Sequence, residues 1–273
     1  MKKIFVSDFN VTEVPTGGAE WVDDIIIKKF NFEFQSTRDI KHFDLNNFYF
    51  FSNISLLNPK LQKIIPNLNY CIIEHDYKIC QNRSPWMYEN NIVPLNERIN
   101  YEYYKNAKAV FVQTTDHMEV FKKNEVDANF VNFECSIWSE DDINLLENLL
   151  NNKRKSNNKY AVYYSGNWIK NTQGNLKYCS ENKLPIFILK PNEREIFLRN
   201  MSTCEGLVFF PLARETFCRL VVEAKCLGLN VITSKNYGAS LENWFDELSE
   251  KELIVFLKNK TEENINKIKN YLL

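Results

Sequence analysis

The densest concentration of reactive side chains lies in Phe209-Phe210-Pro211-Leu212-Ala213-Arg214-Glu215-Thr216-Phe217-Cys218-Arg219-Leu220-Val221-Val222-Glu223-Ala224. A spacing of four aligns Glu215, Arg219 and Glu223 along one side of a helix predicted over 216–227, and leaves Phe217, Leu220, Val221 and Ala224 as the opposite, core-facing stripe. The apolar run 207–210 just before it reads as a strand, so the helix should start at the carboxyl edge of a sheet, where open α/β proteins bind ligands. Amide groups and the helix dipole at such a start favour a phosphate, and carboxylates nearby can accept hydrogen bonds from hydroxyls. Taken alone, the same Glu-Arg-Glu ladder also suits a solvated helix face worth a few tenths of a kcal/mol per pair.

Three further stretches could act with it. Pro15-Thr16-Gly17-Gly18-Ala19-Glu20 follows a first strand and opens a helix, and paired glycines let the backbone approach an anion closely. Glu74-His75-Asp76-Tyr77-Lys78 follows the apolar run Tyr70-Cys71-Ile72-Ile73, and His75 has a more suggestive setting than the other histidines, His42 and His117. Tyr163-Tyr164-Ser165-Gly166-Asn167-Trp168-Ile169-Lys170-Asn171 places Lys170 after another strand, as a cation for a departing phosphate or as a solvated loop lysine. No His, Cys or acidic cluster has zinc spacing, and Asp-x-Asp, Gly-x-Gly-x-x-Gly and a Walker lysine loop are all missing from the sequence. That argues against a metal-dependent GT-A glycosyltransferase, a dehydrogenase and a P-loop NTPase.

The elements that would position these residues alternate between strand-length apolar runs and amphipathic helices, the signature of parallel β-α units. Strands are predicted at 4–7, 48–52, 70–74, 109–113 and 130–133, with helices at 18–30, 59–65, 97–106 and 116–124. After a helix and a polar Asn/Lys stretch at 139–159, alternation resumes with strands at 160–165, 186–189, 207–210 and 230–233 and helices near 173–182, 193–203 and 216–227. Residues 250–273 read as two short helices. The expected organisation is therefore an N-terminal Rossmann-like domain over 1–138, a helix and linker over 139–159, and a C-terminal Rossmann-like domain over 160–273.

Composition sets the remaining bounds. At 273 residues, 44% hydrophobic and 25% charged, the chain is long enough for two folded domains. With 34 basic and 35 acidic residues, it offers no bulk attraction to nucleic acid or to an anionic membrane, and short basic pieces such as Lys122-Lys123 and Lys153-Arg154-Lys155 suit solvated surface. Seven cysteines without a Cys-x-x-Cys pair, and no export signal, point to a reduced cytoplasm, that of a host if the protein is viral. No run approaches the length of a transmembrane helix.

Glu215 and Glu223 after a strand, proline and loop resemble the E-x7-E element of GT4-like retaining glycosyltransferases, which have the α/β GT-B fold of two Rossmann-like parallel-sheet domains facing across a cleft. Gly228-Leu229-Asn230-Val231-Ile232 resembles the family's following strand entry, with Asn230 in place of the usual proline, and Gly17-Gly18-Ala19-Glu20 resembles its G-G-A-E loop. The resemblance implies a metal-independent hexosyl- or pentosyltransferase with no resident cofactor and a nucleotide-sugar, UDP-linked, as co-substrate. It implies catalytic roles for His75, Glu215 and Lys170, with Glu215 at the donor sugar and Glu223 at the ribose. Donor binding would fall to Gly17, Gly18, Asn167, Lys170, Glu215, Thr216, Phe217, Arg219 and Glu223, and acceptor binding to Asp76, Tyr77 and Arg83. Asn167 stands where an arginine is common, and Arg194 or Arg219 is the expected compensation. The middle of the first half resembles a compact phage-type subgroup, which makes hydroxymethylated pyrimidine in phage DNA the first expected acceptor class, by a slight margin. Surface polysaccharide or glycolipid is the alternative. A noncatalytic nucleotide-sugar binder and a sugar-nucleotide epimerase are the rivals.

Overall fold

The computed structural model describes residues 1–10, 17–152 and 155–272. Pro15, Thr16, Lys153 and Arg154 lie outside the described residues. The chain divides into two compact units, one formed by Met1–Ile137 with Glu262–Leu273 and the other by Trp138–Thr261.

Unit 1 contains β1 (Lys3–Ser7), α1 (Gly18–Phe30), β2 (Glu33–Ser36), β3 (Phe48–Phe51), α2 (Pro59–Gln62), β4 (Asn69–Ile73), α3 (Tyr101–Lys105), β5 (Val110–Val112), α4 (Thr115–Lys123) and β6 (Phe130–Asn132). Its strands form one parallel sheet in the order β2-β1-β3-β4-β5-β6. Strands buried on both faces need side chains that are apolar throughout, and β3 meets this with the run Phe-Tyr-Phe-Phe, every residue buried. One face packs Val6, Phe51, Tyr70, Tyr104 and Phe121; the other packs Phe5, Val22, Ile26, Phe50 and Phe111. Phe5 on β1 stacks on Phe50 of the neighbouring β3 at a centroid spacing of 5.5 Å, and Phe50 stacks on Phe111 of β5, across β4, at 5.7 Å.

Unit 2 contains α5 (Glu140–Asn151), β7 (Tyr160–Tyr163), α6 (Thr172–Glu181), β8 (Ile186–Leu189), α7 (Arg194–Ser202), β9 (Gly206–Phe209), α8 (Arg219–Cys226), β10 (Asn230–Thr233) and α9 (Trp244–Glu247), followed by α10 (Glu250–Lys269). Its parallel sheet runs β10-β9-β7-β8.

Four expectations change. Residues 139–159 are not a separate linker, because α5 buries Asp142, Ile143 and Leu146 within unit 2. Residues 250–269 form one helix instead of two, and its last turns join unit 1, where Ile265, Ile268 and Leu272 enter the core. An edge strand, β2, was not foreseen, since Glu-Phe-Gln-Ser carries little apolar content. The helix expected at 216 begins at Arg219: Cys218 adopts φ 79°, in the left-handed region, and stops the helix from extending back. Glu215 instead makes an isolated parallel bridge to Tyr237 and residues 216–217 bend, with Gly238 N–H donating to Glu215 O at 2.8 Å and Ala239 N–H to Phe217 O at 3.3 Å.

Candidate functional site

Each sheet reverses its winding direction at one point, the place where open α/β sheets commonly bind ligands at the carboxyl edge. In unit 2 the reversal falls between β7 and β9. The loops leaving these strands carry Lys170 and Glu215, and the two side chains meet, with Lys170 Nζ 2.8 Å from Glu215 Oε1. Lys170 retains 30% side-chain exposure and Glu215 15%. Burial pulls the lysine pKa down, but Glu215 and the Cys218 thiol outweigh it, so the ammonium is held above its ordinary range and stays charged.

The loop holding Lys170 is cross-braced. Asn167 Oδ1 accepts from Ile169 N–H at 3.0 Å, Leu212 N–H donates to Ile169 O at 2.9 Å, and Asn171 Nδ2 donates to Phe210 O at 2.9 Å. Asn167 thus spends its side-chain oxygen on capping the turn, and it is not a cation that could face a phosphate.

Glu223 lies elsewhere. It is 1% exposed, at the centre of a buried network in unit 2. Its Oε1 accepts from Trp138 Nε1 at 3.0 Å, from Arg219 Nε at 3.3 Å and from Arg194 Nη2, while Oε2 accepts from Arg194 Nη1 at 2.9 Å. Asp142 completes it, 3.0 Å from Arg194 Nε and 3.3 Å from Arg219 Nη2. The Arg219 guanidinium also lies over the Trp138 ring, 4.6 Å from its centroid. Burial pushes the Glu223 carboxyl up, yet the two arginines hold it below the usual carboxylate range. Burial lowers Arg219, with Glu223 opposing that shift.

Several of the residues expected at the donor lie buried in this geometry. Glu223 reaches a ribose only if Arg194 leaves it. Arg194 and Arg219 are committed to carboxylates and do not replace the arginine that Asn167 lacks. Phe217 is 1% exposed and packs against Trp138 at 5.7 Å and Trp244 at 6.2 Å, and Thr216 is buried, so neither side chain faces a donor. Of the residues expected at the donor, the structure brings together Lys170 with Glu215 at the loop ends and Arg219 with Glu223 in the buried network.

In unit 1 the reversal falls between β1 and β3. Beyond β1, Asp8 is buried and accepts from Thr37 Oγ1 at 2.7 Å and from the amides of Ser55 and Leu56 at 2.9 and 3.1 Å, tying the loop ends together. Gly17 precedes α1 in extended geometry, and a Cβ there would collide with the Glu20 carboxylate folded back over it. An anion can reach this end of Gly17 and Gly18 only if Glu20 swings away.

His75 is clamped at both ring nitrogens, with Nε2 2.8 Å from Asp23 Oδ1 and Nδ1 2.9 Å from Gln113 Nε2. Since the amide nitrogen donates to Nδ1, the proton resides on Nε2 and is directed at Asp23. Beside it, buried Glu74 accepts from Tyr104 Oη at 2.7 Å, from the amides of His75 and Asp76, and from Lys78. Asp76 pairs with Arg83, whose other donors reach Ser55 Oγ at 2.7 Å and Asn53 Oδ1 at 2.8 Å. Asp76 and Arg83 keep 29% and 34% side-chain exposure, so both can meet a ligand. Tyr77 cannot: it is 3% exposed, in the core, with its ring 4.9 Å from His117. His117 is fully buried between Asp76 O, 2.8 Å from its Nε2, and the Gln113 amide, and burial lowers its pKa to about 3.

Asp8, Asp23, Gln113 and Asp142 were missed by sequence reasoning. Asp23 did leave a signal, as an acid on the buried stripe of α1 between Val22 and Ile26. Among the described residues, no group of three or more His, Cys, Asp or Glu side chains is placed to hold a metal ion. No helix there is long and apolar enough to cross a membrane.

No protein-family model matches the sequence, and no curated protein is significantly similar to it. Solved structures do match its fold. Trehalose-6-phosphate synthase OtsA superposes with a TM-score of 0.64 at 8% identity, over 99% of each chain. HepE (Alr3699) from Anabaena, solved in complex with UDP and glucose, superposes with a TM-score of 0.50 at 14% identity, over 100% of this chain and 99% of that one. With two parallel sheets and interleaved helices, the chain has the α/β GT-B glycosyltransferase fold.

Proposed function

We propose that this protein is a glycosyltransferase that moves a sugar from a UDP-linked donor held by unit 2 to an acceptor hydroxyl held by unit 1. The observation that carries the reading is the partly exposed Lys170–Glu215 pair at the switch point of the unit 2 sheet, in a chain of GT-B fold. A departing nucleoside diphosphate gathers negative charge, and a lysine already held charged can stabilise it once Glu215 releases the ammonium. Glu215 turns from the ammonium to accept hydrogen bonds from the donor sugar. As the bond from the sugar to the diphosphate breaks, the ring becomes oxocarbenium-like, and the acceptor hydroxyl enters from the leaving-group face, bonding to the anomeric carbon as it passes its proton to the departing diphosphate oxygen. That course retains the anomeric configuration, in keeping with a GT4-like enzyme, and needs no metal.

Glu223 supports this site through Arg194 and Arg219 and takes no direct part in ribose binding. His75, fixed by Asp23 and Gln113, shapes the unit 1 side, where Asp76 and Arg83 offer a carboxylate and a guanidinium to acceptor hydroxyls. The net charge of −1 favours a carbohydrate acceptor over DNA, whose phosphates draw on a basic field.

Purified protein incubated with UDP-glucose and a panel of glycan, lipid-linked and hydroxymethylated-DNA acceptors should release UDP in step with glycosylated product. Binding of UDP-glucose with no release of UDP for any acceptor or for water would assign the chain as a noncatalytic binder. Epimerised UDP-sugar would assign it to the other rival class.

A further inference from the structure

Three large apolar side chains are exposed on the two loops that carry Lys170 and Glu215: Tyr164 at 52%, Trp168 at 60% and Leu212 at 51%. Trp168 is the exposed one among the five tryptophans, all of them described. It does not ride on a loose loop. It opens the single turn Trp168–Lys170, which Asn167 caps and which the 2.9 Å bond from Leu212 N–H to Ile169 O ties to the neighbouring loop. On its other flank, a Cβ added to Gly166 would meet no atom within 4 Å, so that side of the loop is open. A rigid, exposed indole beside a charged pair is costly to leave in water and useful for covering a flat apolar surface.

We infer that Trp168, flanked by Tyr164 and Leu212, is the platform on which the apolar face of the donor's pyranose ring stacks. The inference rests on the reading of Lys170 and Glu215 as the donor site and deepens it. Trp168 and Lys170 lie two residues apart in a tight turn that rises only about 2 Å per residue. In a nucleotide-sugar, the sugar joins the phosphate by one oxygen bridge, whereas the base lies beyond a second phosphate and the ribose. A side chain based this close to the diphosphate cation has the sugar, rather than the base, within its reach. Glu215 would take the hydroxyls at the ring's edge while Trp168 takes its C–H face, and together they select for the sugar.

The test measures dissociation constants of UDP and UDP-glucose for the wild-type protein, Trp168→Ala and Trp168→Phe by calorimetry, with thermal melting as the fold control. In Trp168→Ala the UDP-glucose affinity should fall about tenfold while UDP affinity changes less than about twofold, and Trp168→Phe should recover most of the loss. An equal loss for both ligands would move the contact to the nucleotide and overturn the inference, as would no loss for either. If the wild-type protein binds neither ligand, the donor-site reading itself fails and takes the platform with it. Wild-type binding left intact by Trp168→Ala sinks the platform alone.

Discussion

Glu215 and Glu223 stand eight positions apart, yet they occupy opposite environments. Glu215 lies in an extended loop at a sheet edge, facing one lysine, with both partners reached by water. Glu223 lies one helical turn inside α8, sealed by a tryptophan and two arginines whose remaining donors reach a second acid. A pair of the first kind, still 30% and 15% exposed, exchanges partners at a lower desolvation cost than one sealed in the interior. A network of the second kind resists any change that leaves one charge behind, since an uncompensated ion in the interior is far costlier than the pair. A motif of two acids can therefore divide its labour, one carboxylate binding and the other holding the fold beneath it.

The strongest challenge to this contrast is Glu223→Ala, which strands Arg194 and Arg219 in the core. It should cost about 3–5 kcal/mol of unfolding free energy in urea titrations, and a loss below about 1 kcal/mol would show that the network carries no structural load. Lys170→Ala should act the other way round. Transfer should slow by roughly 10²-fold or more, about 2.7 kcal/mol of barrier, while the urea midpoint hardly moves; a variant that unfolds early but turns over normally would reverse the two roles.

Unit 1 offers a smaller effect, because it buries a titratable group by keeping it neutral. His117 has a folded pKa of about 3, well below its ordinary 6.5. Above pH 6.5 neither state binds the proton, and below it the unfolded chain does so first. Stability should therefore fall by roughly 1.4 kcal/mol per pH unit from about pH 6 towards 3, or about 2 kcal/mol between pH 6.5 and 5. Glu223 adds to the loss once the pH drops below its ordinary carboxylate range, because its depressed pKa stabilises the fold only while it is ionised. Urea titrations of wild type and His117→Gln at pH 7 and 5 separate the two groups, and a wild-type difference that survives intact in the variant would rule His117 out. The smallest expected effect is that of Gly166→Ala, which enters open space and should leave stability within about 0.5 kcal/mol.

The parallel strands were legible because burial on both faces forces uninterrupted apolar runs, as in Phe48–Phe51 and Gly206–Phe209. The position of Lys170 after β7 was legible for the same reason, since a strand end locates the loop that follows. The start of α8 was not, because glycine and asparagine advertise left-handed backbone and a cysteine at 218 does not. The fate of Glu223 was equally hidden. Four-residue spacing places it beside Arg219, but the contacts that seal it come from Trp138, Asp142 and Arg194, which lie 29 to 85 positions away along the chain. Tyr77 misled for a related reason: its neighbours Asp76 and Lys78 are polar, and only the packing of α4 shows that the ring turns inward onto His117 and Phe121.

All seven cysteines are buried thiols, three of them in unit 1 (Cys71, Cys80 and Cys135) and four in unit 2 (Cys179, Cys204, Cys218 and Cys226). Burial pushes up the thiols of Cys71, Cys80, Cys179, Cys204 and Cys218, Cys71 to about 12 and Cys218 well above its usual value, which keeps these five in the unreactive protonated form. Each thus stays dark to an alkylating reagent until its surroundings come apart. A time course of labelling, resolved by peptide mass, would give every unit its own clock and reveal whether the halves of this molecule open together or in turn.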